Sequence, residues 1–338
     1  MMRTTKLSVT ITAILGITVL IGAIMMSCKT NKQTDTIQNS ASEESSNKLS
    51  DGISFNADSA YHYIDKQVSF GPRVPGSEGW EKCGRWLYDK LSGFADHIIL
   101  QESTQKTFDG KEIPCKNIIA SINPDATNRV MVAAHWDTRP FSDQDPNQAN
   151  HNRPILGADD GASGVGVILE LARQWHIQKP NIGVDLILFD AEDYGDTNSE
   201  DSWCLGSTYW SNNPHVEDYS PQYGILLDMV GSKDATFYWE RFSKDNAPMI
   251  VSNIWEKAAQ LGFGKYFVQA NGGYLTDDHI PIIKNRHIKM VDIVNYNPNN
   301  QKGFGDYWHT QGDNMNVISK KTLNAVGKVV KAVIDSEK

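Results

Sequence analysis

Cysteine is scarce in this chain of 338 residues. There are four, Cys28, Cys83, Cys115 and Cys204, and no two form a C-x-x-C pair. That argues against a thiolate zinc site and against a dithiol redox motif. Setting Cys28 aside leaves three, so at most one disulfide can form and one thiol stays free. Basic runs are also lacking after residue 30, and the net charge is −9 with a pI of about 5.5. Nucleic-acid binding is a poor expectation, because phosphate contacts need a basic face. No G-x-S-x-G elbow occurs, which disfavours a serine hydrolase. The glycine-rich stretch Gly157 to Gly164 lacks the Gly-Lys-Ser/Thr ending of a P-loop and the spacing of a dinucleotide fingerprint. It also carries Asp159 and Asp160, which would repel phosphate.

What remains is ordinary for a globular enzyme, with 40% hydrophobic and 22% charged residues. The length suffices for one large α/β domain. The first 27 residues differ from the rest. Arg3 and Lys6 precede an uncharged, mostly apolar run over 7–26 that ends in Ser27-Cys28. Such a segment reads as an export signal. A cysteine directly after a small residue looks like the acylation site of a bacterial lipoprotein, although Met25 stands where such signals usually place leucine. A plain signal anchor is the alternative, and either puts the body outside the cytoplasm. The expectation is a lipid anchor at Cys28, with the protein in the bacterial cell envelope, facing the periplasm. Residues 28–52 are polar and rich in Ser and Asn, a composition that cannot bury a core and predicts a flexible tether. The catalytic domain is expected over 53–338.

Within that body, short apolar runs alternate with helical patterns. Strands are expected at 98–104, 117–122, 130–135, 184–189, 225–229 and 288–294. Several are continuous apolar runs, which suits strands covered on both faces. Helices are expected at 58–67, 79–92, 163–176, 247–260 and 320–336. Val165, Leu169, Ala172 and Trp175 predict a single apolar stripe, and Ser319 is a candidate N-cap for the last helix. The pattern predicts a three-layer α/β sandwich: a central mixed, mostly parallel sheet flanked by helices. Ligands in such folds bind beyond the carboxyl ends of the strands.

Those ends carry a series of carboxylates and imidazoles. They are His135 and Asp137, the loop with Asp159 and Asp160, the run Asp190 to Asp193, Asp228, and His309 after the last strand. Any one alone would be a cap, a turn residue or a solvated group. Like-charged carboxylates gathered together need a cation or protons to compensate, and histidines among them favour zinc over calcium or magnesium. The strand-end pattern by itself accepts one zinc or two.

Several segments resemble the zinc aminopeptidase superfamily: Arg73-Val74-Pro75-Gly76-Ser77, His135-x-Asp137, the GADDGASG loop, Glu192-Asp193, Asp228 and His309-Thr310. Within it, the chain is similar to the animal-type glutaminyl-peptide cyclotransferases (glutaminyl cyclases). That similarity rests on Leu227-Asp228-Met229-Val230-Gly231, Asp277-Asp278-His279-Ile280-Pro281, and Phe304 with Trp308-His309-Thr310. The resemblance implies one zinc per chain held by Asp160, Asp193 and His309, with Asp193 standing where the family usually has a glutamate one methylene longer. It implies Glu192 as the acid/base, Asp228 and Asp277 as acids hydrogen-bonded around it, and Trp308 and Phe304 as walls of the substrate pocket. A structural core role for those two aromatics is the competing reading. His135 would be a neighbour of the centre or a ligand to a second metal. The cysteines that flank the first histidine and follow the ligand aspartate in animal members are Ala134 and Val165 here, so that disulfide cannot form. The loops 138–156 and 194–203 depart from the animal sequences and are expected to border the pocket. The implied substrates are peptides or proteins with N-terminal glutamine. A two-zinc aminopeptidase using His135, Asp160, Asp193, Asp228 and His309 is the main alternative. A binding module with a dead site would predict lost ligands, and none is lost.

Overall fold

The computed structural model describes residues 54–338; the signal segment and tether expected over 1–52 lie outside the described residues. The described part opens with two capped helices. Asn56 accepts the backbone N–H groups of Asp58 and Ser59 at the start of α1 (Ala57–Val68), and Ser77 accepts that of Trp80 at the start of α2 (Glu78–Ser92). Each cap satisfies donors that a helix N-terminus leaves unpaired. A hairpin follows, β1 (His97–Lys106) with β2 (Glu112–Ile122). Then come β3 (Arg129–His135), α3 (Ala162–Ile177), β4 (Gly183–Phe189), α4 (Leu205–Asn212) and β5 (Gly224–Asp228). The remaining elements are β6 (Phe237–Trp239), α5 (Arg241–Asn246), α6 (Pro248–Gln260), β7 (Phe267–Asn271), α7 (His279–Arg286), β8 (Met290–Val294) and α8 (Lys320–Asp335).

Six strands form one sheet in the order β1-β2-β4-β3-β5-β8. The pairs β1–β2 and β2–β4 are antiparallel, whereas β4, β3, β5 and β8 run parallel. The mixed, mostly parallel sheet is therefore as expected. Side chains alternate along the central strands between two apolar layers. Val130, Val132 and Ala134 join one layer, while Met131 and Ala133 join the other. The helices α1, α3 and α8 cover the first face, and α4 and α7 supply Trp210 and Ile282 to the second. The parallel strands are buried on both faces, so their continuous apolar runs follow directly.

All six expected strands and all five expected helices are present, with small shifts at their ends. Ser319 does cap α8. The single stripe expected on the third helix is a correction: Val167, Ile168 and Leu171 of α3 are buried along with Val165, Leu169, Ala172 and Trp175. That helix is enclosed between the sheet, α1 and α8, and is apolar nearly all round for that reason. The small parallel sheet β6–β7 and the helices α4, α5 and α7 were not anticipated.

The strand order positions the site. From β3 the chain crosses through α3 to β4 on one side, and then through α4 to β5 on the other side of β3. This reversal leaves a crevice beyond the carboxyl ends of β3, β4 and β5.

Candidate metal centre and active site

Three strand ends and two loops deliver acidic and imidazole groups to that crevice. His135 ends β3, the turn after β4 carries Asp190 to Asp193, and Asp228 ends β5. Asp160 comes from the turn entering α3, and His309 from the long loop before α8. Gly161, at the N-terminus of α3, has φ of 94°, and a Cβ there would lie 2.5 Å from the carbonyl oxygen of Asp137. Only glycine fits this left-handed turn so close to the first strand end.

Ligating atoms of Asp160, Asp193 and His309 all lie within 4.8 Å of one another. Nε2 of His309 is 3.3 Å from Oδ1 of Asp193 and 3.7 Å from Oδ2 of Asp160. Atoms of His135, Asp160 and Asp228 meet the same limit, so Asp160 belongs to two triads. Nε2 of His135 is 3.1 Å from Oδ1 of Asp160 and 3.2 Å from Oδ1 of Asp228. All five residues are buried.

The triads differ in how far they satisfy themselves. The carboxylate oxygens of Asp193 and Nδ1 of His309 are buried with ion-pair contacts but no hydrogen bond: Asp193 Oδ1 faces His309 Nε2 and Arg139, and His309 Nδ1 faces Asp143. The second triad closes on itself through the hydrogen bond between His135 Nε2 and Asp228 Oδ1, although His135 Nδ1 lacks a partner. A buried carboxylate without a hydrogen bond is incompletely compensated, and a cation would supply what these longer contacts do not. The donor set of two carboxylates and an imidazole fits zinc with an open position. Asp193 meets His309 despite its short side chain because its backbone is pinned. The Asp137 carboxylate accepts the N–H of Glu192 at 3.1 Å and of Asp193 at 3.3 Å, with Ala191 turned to φ of 54°.

The supports around the ligands came only in part from the sequence. Asp313 accepts the backbone N–H groups of Asp159 at 2.8 Å and Asp160 at 3.1 Å, fixing that turn from 154 and 153 residues away in the chain. Asp143 sits 3.5 Å from Nδ1 of His309 and pairs with Arg139, whose Nη1 is 3.6 Å from Oδ1 of Asp193. These two come from the divergent loop 138–156. Nothing in the sequence distinguished Asp143 or Asp313 from other loop acids.

Beside the triads lies a cavity of about 190 Å³. Asp160, Asp193 and His309 form one wall, with Glu192, Asp228 and Asp277 next to them. Phe304 and Trp308 line it and stack at 4.5 Å between centroids; Trp308 stacks on His309 at 3.7 Å. Trp203, from the second divergent loop, lines it too and lies parallel to His309 at 6.1 Å. Its place is tight: a Cβ at Gly195 would sit 2.0 Å from the Trp203 ring. Tyr274, Leu275 and Thr276 complete the rim and were not anticipated.

Burial dominates the electrostatics. It pushes Glu192 well above the carboxylate range, with His135 pulling down and Asp193 and Asp277 pushing further up. Burial also raises Asp228 to about 6, and burial with Asp228 raises Asp277 to about 7. One oxygen of Glu192 and one of Asp277 lie within 4.8 Å of each other, and Cys204 Sγ is 3.6 Å from Oε1 of Glu192. A dication in the neighbouring triad lowers all of these proton affinities. Behind Asp277, His279 pairs with Glu240 at 3.1 Å, and Glu240 accepts the N–H of Leu275, fastening the rim loop. All three cysteines in the described residues are free and buried.

The fold and this strand-end cluster together define a zinc-exopeptidase-like α/β protein. Residues 117–334, more than half of the chain, match the family Peptidase family M28, and the chain belongs to that family. Three similar proteins bear on its activity. A solved Zn-dependent exopeptidase from Parabacteroides distasonis is 49% identical with a TM-score of 0.83, over 84% of this chain and 99% of that one. The solved glutaminyl cyclase of Porphyromonas gingivalis is 54% identical with a TM-score of 0.82, over 83% of this chain and 98% of that one. The glutaminyl-peptide cyclotransferase of Bos taurus is 25% identical over 296 residues, covering 78% of this chain and 77% of the relative.

Proposed function

We propose that the chain is a zinc-dependent glutaminyl-peptide cyclotransferase, which turns the N-terminal glutamine of a peptide or protein into pyroglutamate and releases ammonia. The observation that carries this reading is the small aromatic-walled cavity with an unsatisfied Asp160–Asp193–His309 triad on one side and Glu192, Asp228 and Asp277 beside it. The 54% identity to a solved glutaminyl cyclase supports it.

Asp160, Asp193 and His309 would hold one zinc per chain, which supplies Lewis-acid polarisation of the substrate's γ-carbonyl. The nucleophile is the substrate's own α-amine, so the attack is intramolecular and gains from orientation. A new bond forms between that nitrogen and the γ-amide carbon, and the bond to the amide nitrogen breaks. Glu192 takes the proton from the amine and delivers it to the departing ammonia. Asp193 and Asp277 keep its proton affinity high through like-charge coupling, with Asp228 beside Asp277, which suits a group that must accept and then donate. Phe304, Trp308 and Trp203 hold the glutaminyl chain and limit water. His135 serves as a partner of Asp160 and Asp228.

The two-zinc aminopeptidase reading has one observation in its favour, the proximity of His135, Asp160 and Asp228. Its His135–Asp228 pair lies at 3.2 Å and the His309–Asp193 pair at 3.3 Å, so product identity and metal content are the discriminating measurements. Incubation of the purified, zinc-loaded protein with Gln-peptides separates the two. Ammonia and a pyroglutamyl product are expected; free amino acids without that product would hand the function to the peptidase reading. Metal analysis is expected to give about one tightly bound zinc per chain.

For the segments outside the described residues, the proposal is export as a lipoprotein anchored through Cys28, with residues 28–52 as tether and the catalytic domain in the bacterial cell envelope. Arg3, Lys6, the apolar run to Met26 and Ser27-Cys28 support it. Metabolic labelling with a fatty acid is expected to mark the wild-type chain and to miss Cys28→Ser; equal labelling of both would overturn the anchor.

A further inference from the structure

Cys204 is a buried free thiol that the scheme above does not use. It stands at the entry to α4 with φ of 58° and ψ of 40°. This left-handed region is costly for a residue with a side chain and favours glycine or asparagine. Cys204 gives the helix no side-chain cap in return. A strained backbone that the local structure does not explain turns attention to what the side chain touches.

Its side chain touches Glu192. The N–H of Cys204 donates to the carbonyl of Glu192 at 2.9 Å, and the N–H of Leu205 donates to that of Ala191 at 3.0 Å. These two bonds hold the thiol alongside the Glu192 side chain, with Sγ 3.6 Å from Oε1. Among the described residues, that thiol is the one hydrogen-bond donor to this carboxylate. Burial, together with the carboxylates of Glu192, Asp278 and Asp277, raises the thiol well above its usual range, so it keeps its proton and donates it. We infer that Cys204 is a positioning residue for the acid/base: its thiol holds Oε1 of Glu192 and leaves the other oxygen turned to the cavity, where the substrate amine arrives. A thiol suits this task because it is a weak donor. It orients the carboxylate without stabilising the charged form as strongly as a hydroxyl or an N–H would. The left-handed backbone is the cost of placing it there.

This inference rests on the cyclotransferase reading. The tests use the zinc-loaded full chain and a Gln-peptide. No pyroglutamate from the wild type would overturn that reading and this role with it, whereas the variants test the role alone. Cys204→Ala is expected to lose about tenfold in kcat, within the hundredfold that an ångström of misplacement can cost, with KM and bound zinc unchanged. Cys204→Ser keeps a donor and is expected to recover most of that loss. Cys204→Gly lacks the thiol but relaxes the backbone. It should unfold at a higher temperature than Cys204→Ala and be equally slow. An Ala variant as fast as wild type overturns the role. So does a Gly variant that regains the wild-type rate, since the backbone and not the thiol would then matter. Equal losses in the Ala and Ser variants also count against it. The infrared S–H band that Cys204→Ser removes reads the contact without turnover. That band is expected to move to higher frequency in Glu192→Gln, whose neutral amide is a weaker acceptor, and an unmoved band overturns the hydrogen bond.

Discussion

Asp160 faces two triads of similar composition, and they are built to different ends. The group with Asp193 and His309 leaves two carboxylate oxygens and an imidazole nitrogen buried without a hydrogen bond. The group with His135 and Asp228 spends its ring nitrogen on its own carboxylate. Proximity alone would accept a metal in either. The His135–Asp228 contact is a hydrogen bond at 3.2 Å and the His309–Asp193 contact an ion pair at 3.3 Å. Within the two triads only Asp193 keeps both oxygens buried without a hydrogen bond, which is where the proposed reading puts the zinc. Ligand geometry on an α/β scaffold does not by itself give metal stoichiometry; the metal content of variants in each triad decides it.

The sharpest way to break this contrast is to remove one member from each triad. Asp193→Ala is expected to abolish activity and to reduce bound zinc from about one per chain to near zero. Asp228→Asn is expected to keep the zinc and lose about a hundredfold in kcat, the scale of an acid–base contribution. Loss of zinc from both variants would restore the two-metal reading. Between these extremes, Glu192→Gln should retain the metal while kcat drops by about 10² to 10⁴; unchanged turnover would sink its proposed role.

A gentler measurement follows from His309. Burial alone would push this imidazole down, but Asp193, Asp143 and Asp160 more than offset it and raise it to about 9 in the metal-free protein. A metal-bound imidazole must be neutral. At pH 8 the metal-free site therefore carries a proton on His309 that zinc has to displace. Titration calorimetry at pH 8 in buffers of differing ionisation heat is expected to show about one proton released per zinc. Apparent zinc affinity should climb about tenfold per pH unit below 9 and flatten above it. No proton release at pH 8 would mean that the triad is already neutral and differently arranged. The smallest expected effect is at Asp143, which touches the far nitrogen of His309. Asp143→Asn should weaken zinc retention by about tenfold, as for other partners of ligating histidines, and leave the metal-bound kcat close to wild type.

Much of this was legible beforehand, for identifiable reasons. The parallel strands announced themselves because burial on both faces makes them continuously apolar. Caps such as Ser319 were readable because their signal is local. The misses have equally local causes. Strand β6 is three residues long, too short for any period. Helix α4 is entered through Cys204 in a left-handed conformation with no side-chain cap, so it has no start signal. Helix α7 holds Pro281 near its start, and a short segment with proline reads as a turn. Within the site, the strand-end residues came from the pattern, while Asp143, Trp203 and Asp313 did not. They are single residues in irregular loops, and only the folded chain brings them to the ligands.

Asp137 has a consequence for how such a site can change. One carboxylate holds the backbone of both Glu192 and Asp193, so the proposed proton carrier and the proposed zinc ligand share one support. A change at 137 is expected to displace both groups together.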